Sequence, residues 1–241
     1  MLKFFRKIRQ RLLSENKFSK YLLYAIGEII LVVIGILIAL QINNWNEQRK
    51  AKEIEKEMLI QFREDLKDDI ESIARVEYWL QKVITSSKIV VAHLKAKRAW
   101  NDSLAIHFDL WNDFDQLSLN STAITNLKSR GVELITDNSL RNQIISLYDQ
   151  TYFYIQKSND FFREDHIHMT YKKYLEHIEP IKWREAAIPS DYEKLLEDKE
   201  FINHVQWIRN AAEYDSEYHM ATTHEIEEVI KEIDKELKNG F

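Results

Sequence analysis

Tyr21 to Ile42 is a run of 22 residues with a single charged side chain, Glu28. No other stretch constrains the chain as strongly. As a helix rising about 1.5 Å per residue it reaches roughly 33 Å, enough to cross a hydrocarbon layer of about 30 Å. A cleavable secretory signal has a shorter apolar region, about 7–15 residues, and ends on a small-x-small site. Leu37-Ile38-Ala39 supplies no such site. A core helix that is apolar on every face is rare in a soluble domain this small. The run therefore predicts an uncleaved signal anchor: one transmembrane helix over residues 21–42, a basic tail over 1–20 and a helical domain over 43–241.

The charge distribution has the same three parts. Residues 1–20 carry seven Lys/Arg against Glu15, or +6; residues 21–42 carry −1; the remainder has 27 basic and 37 acidic residues, or −10, which together give the net −5. Lys and Arg concentrate on the cytoplasmic side of a span. Seven precede the run, and Arg49, Lys50, Lys52 and Lys56 follow it closely. This predicts an inner-membrane protein with a cytoplasmic tail and a periplasmic domain. Tyr21 and Tyr24 would mark the inner interface and Trp45 the outer. Leu2, Phe5, Ile8, Leu12 and Leu13 recur at helical spacing, so the tail either lies as an amphipathic helix on the anionic leaflet or serves only to set topology. An acidic domain without a basic stripe argues against nucleic acid as a partner.

Glu28 is costly inside a bilayer. Gly27, Gly35 and Ala39 fall within about 80–120° on a helix. Gly35-x-x-x-Ala39 is a small-xxx-small pair that permits close helix approach. Glu28 borders that face. The expected role is a helix–helix contact, either in a homo-oligomer or with another membrane protein; simple snorkelling or neutralisation, and a proton relay, are the alternatives.

Neither Gly nor Pro occurs between Gly35 and Gly131, which favours long helices. Ile54, Met58, Phe62, Leu66, Ile70, Ile73, Leu80, Val83, Val90 and Leu94 keep helical spacing to about Lys97, and an unbroken helix from about residue 20 is plausible. Asn101 or Asp102 is a candidate cap, Thr122 to Arg130 a short helix and Gly131 a left-handed C-terminal cap. Asp137 or Asn138 should cap a long helix to about Ile178, with Leu140, Ile144, Leu147, Thr151, Ile155, Phe162, His166 and Met169 on its stripe. Pro180 and Pro189 bracket a loop, Ser190 and Glu193 form a capping box, and Asp198 caps the last helix. That helix has a coiled-coil-like seam: Phe201, Val205, Ile208, Ala212, Asp215, His219, Thr222, Ile226, Val229, Ile233 and Leu237. No strand alternation stands out. The fold class is all-α: a transmembrane helix followed by an elongated, roughly four-helix antiparallel bundle.

The seam has a polar interruption. Asp215 and His219, four apart, share a face with Thr222. They are either a buried ligand or pH-sensitive point or a satisfied polar layer that fixes helix register. The other histidines offer less. His166 and His168 lie about 200° apart and His219 and His224 about 140°, while Glu164–His168 and Glu200–His204 have i,i+4 spacing on charged faces. No metal site, cofactor motif, nucleophile elbow or phosphate loop is legible. Cysteine is absent. Of the aromatics on the long central helix, Tyr148, Tyr152, Phe153, Tyr154, Phe161, Phe162, Tyr171 and Tyr174, most should be core and some left for a partner.

Ile-Gly-Glu-Ile at 26–29, Gln-Ile-Asn-Asn-Trp-Asn at 41–46 and Ser-Thr-Ala-Ile-Thr-Asn-Leu-Lys-Ser-Arg-Gly at 121–131 resemble a Bacteroidota family of uncharacterised single-pass membrane proteins, a domain of unknown function. The resemblance implies an anchored helical domain in a Gram-negative envelope and no activity. The expected function is a non-enzymatic envelope protein that acts as an interaction or assembly module. The alternative is a sensory module that binds a ligand and signals to another protein through the transmembrane helix.

Overall fold

A computed structural model of the chain describes residues 18–165 and 170–241, with side chains from 22 onward except 161–169. The expected tail helix, and the expectations for Phe161, Phe162, Glu164, His166, His168 and Met169, lie outside these described residues or side chains. The described residues are predominantly helical, as expected, with one two-stranded hairpin that was not. The chain divides into two compact units, Met1–Ile54 and Glu55–Phe241.

Helix α1 runs from Phe18 to Lys95 without a break, as the absence of Gly and Pro beyond Gly35 allows. Within the first unit its apolar side chains from Leu22 to Ile42 face outward, Leu23 at 77% and Leu31 at 69% exposure. Among the described residues nothing packs over this segment, and the helix is long and apolar enough to cross a membrane.

In the second unit, α1 and the last helix, α8 (Lys199–Asn239), run antiparallel. The register is fixed by Arg63–Asp234, Lys88–Glu213 and Lys95–Gln206 contacts. Between them come a 3-10 turn at Asp102–Leu104 capped by Asn101, α2 (Ala105–Leu110) and α3 (Thr122–Arg130). Gly131 ends α3 with φ 107° and ψ 127°, a positive φ as expected. Its ψ is extended rather than left-handed helical, because the chain turns straight into a 3-10 turn at Val132–Leu134.

Asp137 caps α4 (Asn138–Ser146), accepting from the Leu140 N–H at 2.8 Å. The single long helix expected here is interrupted. A π turn spans Leu147–Thr151 before α5 (Tyr152–Asp165), and α6 covers Tyr171–His177. Such a wide turn shifts helix phase. The buried positions become Leu140, Ile144, Leu147, Tyr148, Tyr152 and Ile155, and Thr151 leaves the stripe to donate to Glu225 at 2.7 Å.

The proline-bracketed loop is a hairpin. β1 (Ile178–Lys182) pairs antiparallel with β2 (Ala186–Pro189), Ile178 opposite Pro189, with an irregularity between Pro180 and Lys182. Alternation could not announce it, because only Ile178 and Ala187 are buried in these strands. Next, α7 (Tyr192–Leu195) is capped by Asp191, which accepts from the Lys194 N–H at 3.1 Å. The expected Ser190/Glu193 box is one residue out of register. Asp198 caps α8 as expected.

The core has two parts. Met58, Phe62, Leu66, Ile73 and Val76 of α1 pack with α3, α4, the π turn and Ile226, Val229 and Ile233 of α8. Leu80, Val83, Val90 and Leu94 pack with Phe108, Trp111, Tyr174, Ile178, Ala187 and the Phe201–Ala212 face of α8. The seam residues expected on α8 are buried from Phe201 to Ile233. Each large aliphatic or aromatic side chain so buried contributes about 1.5–3 kcal/mol by transfer.

Candidate functional site: a polar layer and an acidic aromatic cleft

In the first unit, Glu28 is half-buried and Gly27, Gly35 and Ala39 are exposed. On a continuous helix, offsets of seven and eleven residues place Glu28, Gly35 and Ala39 within about 40°, closer than a border relation. Gly27 lies about 100° from Glu28. A methyl group added at Gly27 or Gly35 would meet nothing within 4 Å, so at these two glycines the described residues leave room for a second helix.

In the second unit, the two core clusters are separated by polar residues where α1 crosses α8. Asp215, His219 and Thr222 are all buried there, at 6%, 3% and 2% exposure. His219 Nδ1 lies 3.1 Å from Glu77 Oε2, Ser216 Oγ donates to Glu77 Oε1 at 2.6 Å, and Gln81 Nε2 donates to the same oxygen at 2.7 Å. Asp215 does not join them; it accepts from Ser158 Oγ of α5 at 2.6 Å. Burial pushes the Glu77 carboxyl up, but the bonds from His219, Ser216 and Gln81 outweigh it and hold the group below the ordinary glutamate value. For Asp215, burial wins over the Ser158 bond and the nearby imidazole, and its pKa is raised. Catalysis by a serine needs the base between nucleophile and acid. Here the acid, Glu77, is in the middle, and Ser216 and His219 are buried. The arrangement satisfies and orients; it does not activate.

A second buried network lies nearby on α1. Asp69, fully buried, accepts from Tyr152 Oη and the Asn120 backbone N–H, each at 2.7 Å. Burial, only partly offset by these bonds, pushes its pKa up to about 6. Asp65 accepts from the Ala123 N–H at 3.2 Å, so a carboxylate from α1 supplies the cap that Ser121 does not give α3.

A cleft that the sequence did not announce opens between α2, α6 and the hairpin. Its volume is about 350 Å³, and Asp109, Asp113, Tyr171, Tyr174, Lys182 and Trp183 are among its lining residues. Arg184, at φ 60° in the hairpin turn, holds one wall. Its guanidinium sits 3.6 Å from the Trp79 ring centroid and 4.5 Å from that of Trp183. Its Nε and Nη2 donate to the two oxygens of Asp113 at 2.7 and 3.4 Å. Asp109 is buried; Tyr174 Oη donates to its Oδ1 at 3.4 Å and the Arg184 backbone N–H and guanidinium also favour the carboxylate, while its Oδ2 has no hydrogen-bond partner among the described residues. Burial raises its pKa above the ordinary aspartate value.

Residues 28–208 match the family of unknown function DUF6090. The chain belongs to DUF6090. The matched region includes Glu28, Glu77, Asp69 and the cleft, and it stops short of Asp215, His219 and Thr222. No curated protein and no solved structure shows a significant match to the chain.

The sequence grouped Asp215 with His219, but their partners, Glu77 and Ser158, come from other helices and had no local signal. The i,i+4 pair Glu200–His204 separates: Glu200 pairs with Lys173, and His204 lies 3.1 Å from Thr170 Oγ1. Tyr148, Tyr152 and Tyr174 are core, whereas Phe153, Tyr154 and Tyr171 are more than half exposed. Among the described residues no group of three or more His, Cys, Asp or Glu could hold a metal ion.

Proposed function

We propose that this DUF6090 chain is a single-pass inner-membrane protein, with residues 1–20 cytoplasmic and residues 43–241 forming a periplasmic helical bundle. The bundle acts as a non-enzymatic interaction or assembly module. One observation carries the reading: among the described residues none packs over the apolar segment of α1. Apolar surface on that scale is stable only in lipid or against a partner. The Lys/Arg excess before the segment supports the orientation. Glu28, Gly35 and Ala39 make a face on which a second helix approaches closely and shields the carboxylate.

The chain has no cysteine, so single-cysteine labelling tests the topology directly. Ser190→Cys should react with a membrane-impermeant maleimide in intact spheroplasts. Labelling only after lysis would reverse the orientation. Glu28→Leu should reduce the size of the detergent-extracted assembly; an unchanged size removes Glu28 from the contact.

The cleft supports the second reading, a ligand-binding module. A concave site with aromatic walls and a few placed polar groups is the usual form of a small-molecule site.

A further inference from the structure

We propose that the cleft between α2, α6 and the hairpin binds a small organic ammonium ion with an aromatic or other apolar body, its N–H donated to Asp109 Oδ2. The proposal deepens the ligand-binding reading and rests on it. Asp109 is 8% exposed, lines the cleft, and leaves Oδ2 without a hydrogen bond among the described residues. A buried carboxylate oxygen without a donor is costly, and a bound cation that donates to it removes that cost. Of the described cations, the two closest to the cleft each have a carboxylate partner. Arg184 is held by both oxygens of Asp113, and Lys182 pairs with Glu185 at 2.6 Å. Tyr174 and the Arg184 backbone already act on Asp109, so Oδ2 is the oxygen left to a ligand.

The walls suit the rest of such a molecule. The Tyr171 and Tyr174 rings lie nearly parallel, 11° apart in plane and 6.5 Å between centroids, and Trp183 is 73% exposed at the mouth. Aromatic faces attract a cation and cover an apolar body. A volume of about 350 Å³ sits at the small end of ligand sites, which run from about 300 Å³ upward. Asp109 and Asp113 disfavour an anion. A metal ion would need a third ligand of the kind that no described group provides.

The test uses the full chain in detergent micelles, with phenethylamine as probe, 2-phenylethanol as neutral control and 3-phenylpropionate as anionic control. Calorimetry and tryptophan fluorescence report binding. The amine should bind saturably and at least about tenfold more tightly than either control. Asp109→Asn, which keeps the side-chain shape, should remove that preference, and Tyr171→Ala should weaken the amine without unfolding the chain. If Asp109→Asn does not fold, Tyr171→Ala decides: unchanged amine affinity overturns the site. Equal binding of amine and alcohol retains a ligand cleft but overturns the cation. No saturable binding by any probe overturns the ligand-binding reading itself. An unchanged preference in folded Asp109→Asn overturns the role of Asp109.

Discussion

His219 of α8 meets Glu77 of α1, Nδ1 to Oε2 at 3.1 Å, at the level where one hydrophobic cluster ends and the other begins. Two antiparallel helices could slide by a turn along apolar seams at modest cost. A pair of a buried histidine and a half-buried glutamate, satisfied in only one register, penalises the slip.

His219→Leu should therefore destabilise the domain by about 1–3 kcal/mol, because it leaves the Glu77 carboxylate short of a donor inside the protein. Urea unfolding of the detergent-solubilised chain measures it. A more stable variant would show that the pair serves something other than stability. The pH dependence has a definite sign. Glu77 titrates below the ordinary glutamate value when folded, so its contribution is fully present above about pH 4.3, the unfolded value, and is lost as pH falls through the folded one. Glu77→Gln should flatten stability in that acid range.

Asp69 acts in the opposite direction. Its folded pKa, about 6, lies above the unfolded value of about 3.9, so the native state holds the extra proton between them. Stability contributed by this group is greatest below about pH 4 and falls as pH rises through about 6, by roughly 2–3 kcal/mol. Asp69→Asn should remove that decline. Unfolding free energies at pH 4, 5, 6 and 7 check it; an identical slope in the variant would refute it.

Arg184→Ala should loosen the hairpin. It leaves the buried Asp113 carboxylate without its fork of donors and removes the cation from the Trp79 face. Breaking a buried pair on one side costs about 3–5 kcal/mol. Arg184→Lys keeps the charge but loses the planar stacking and the double hydrogen bond, so it should recover only part of the loss. Hydrogen exchange over residues 178–189 is the readout, and equal protection in Arg184→Ala and the parent would contradict the clamp.

The cap of α7 separates two adjacent residues. Asp191→Ala should cost about 1 kcal/mol and Ser190→Ala less than about 0.5 kcal/mol. Thermal unfolding of the two variants compares them. The reverse order would restore the Ser190 box.

The sequence alone determined the apolar segment, the extent of the first and last helices and the buried face of α8. Each depends on near-neighbour physics: 3.6-residue periodicity, the cost of a charge in hydrocarbon, and caps such as Asp137 and Asp198 within three residues of their targets. The polar interruption at Asp215, His219 and Thr222 was visible for the same reason. Only the tertiary structure decided what those residues touch. Glu77 is 142 residues from His219, and Arg184 is 71 from Asp113. Pairings over such distances depend on how the helices and hairpin pack, and no local pattern encodes them. The hairpin and the π turn were hidden for the converse reason. Too few of the hairpin's residues are buried to leave a period in the chain, a single wide turn inside a helical stretch has no repeat of its own, and packing against α1, α2 and α8 stabilises what propensity alone would not.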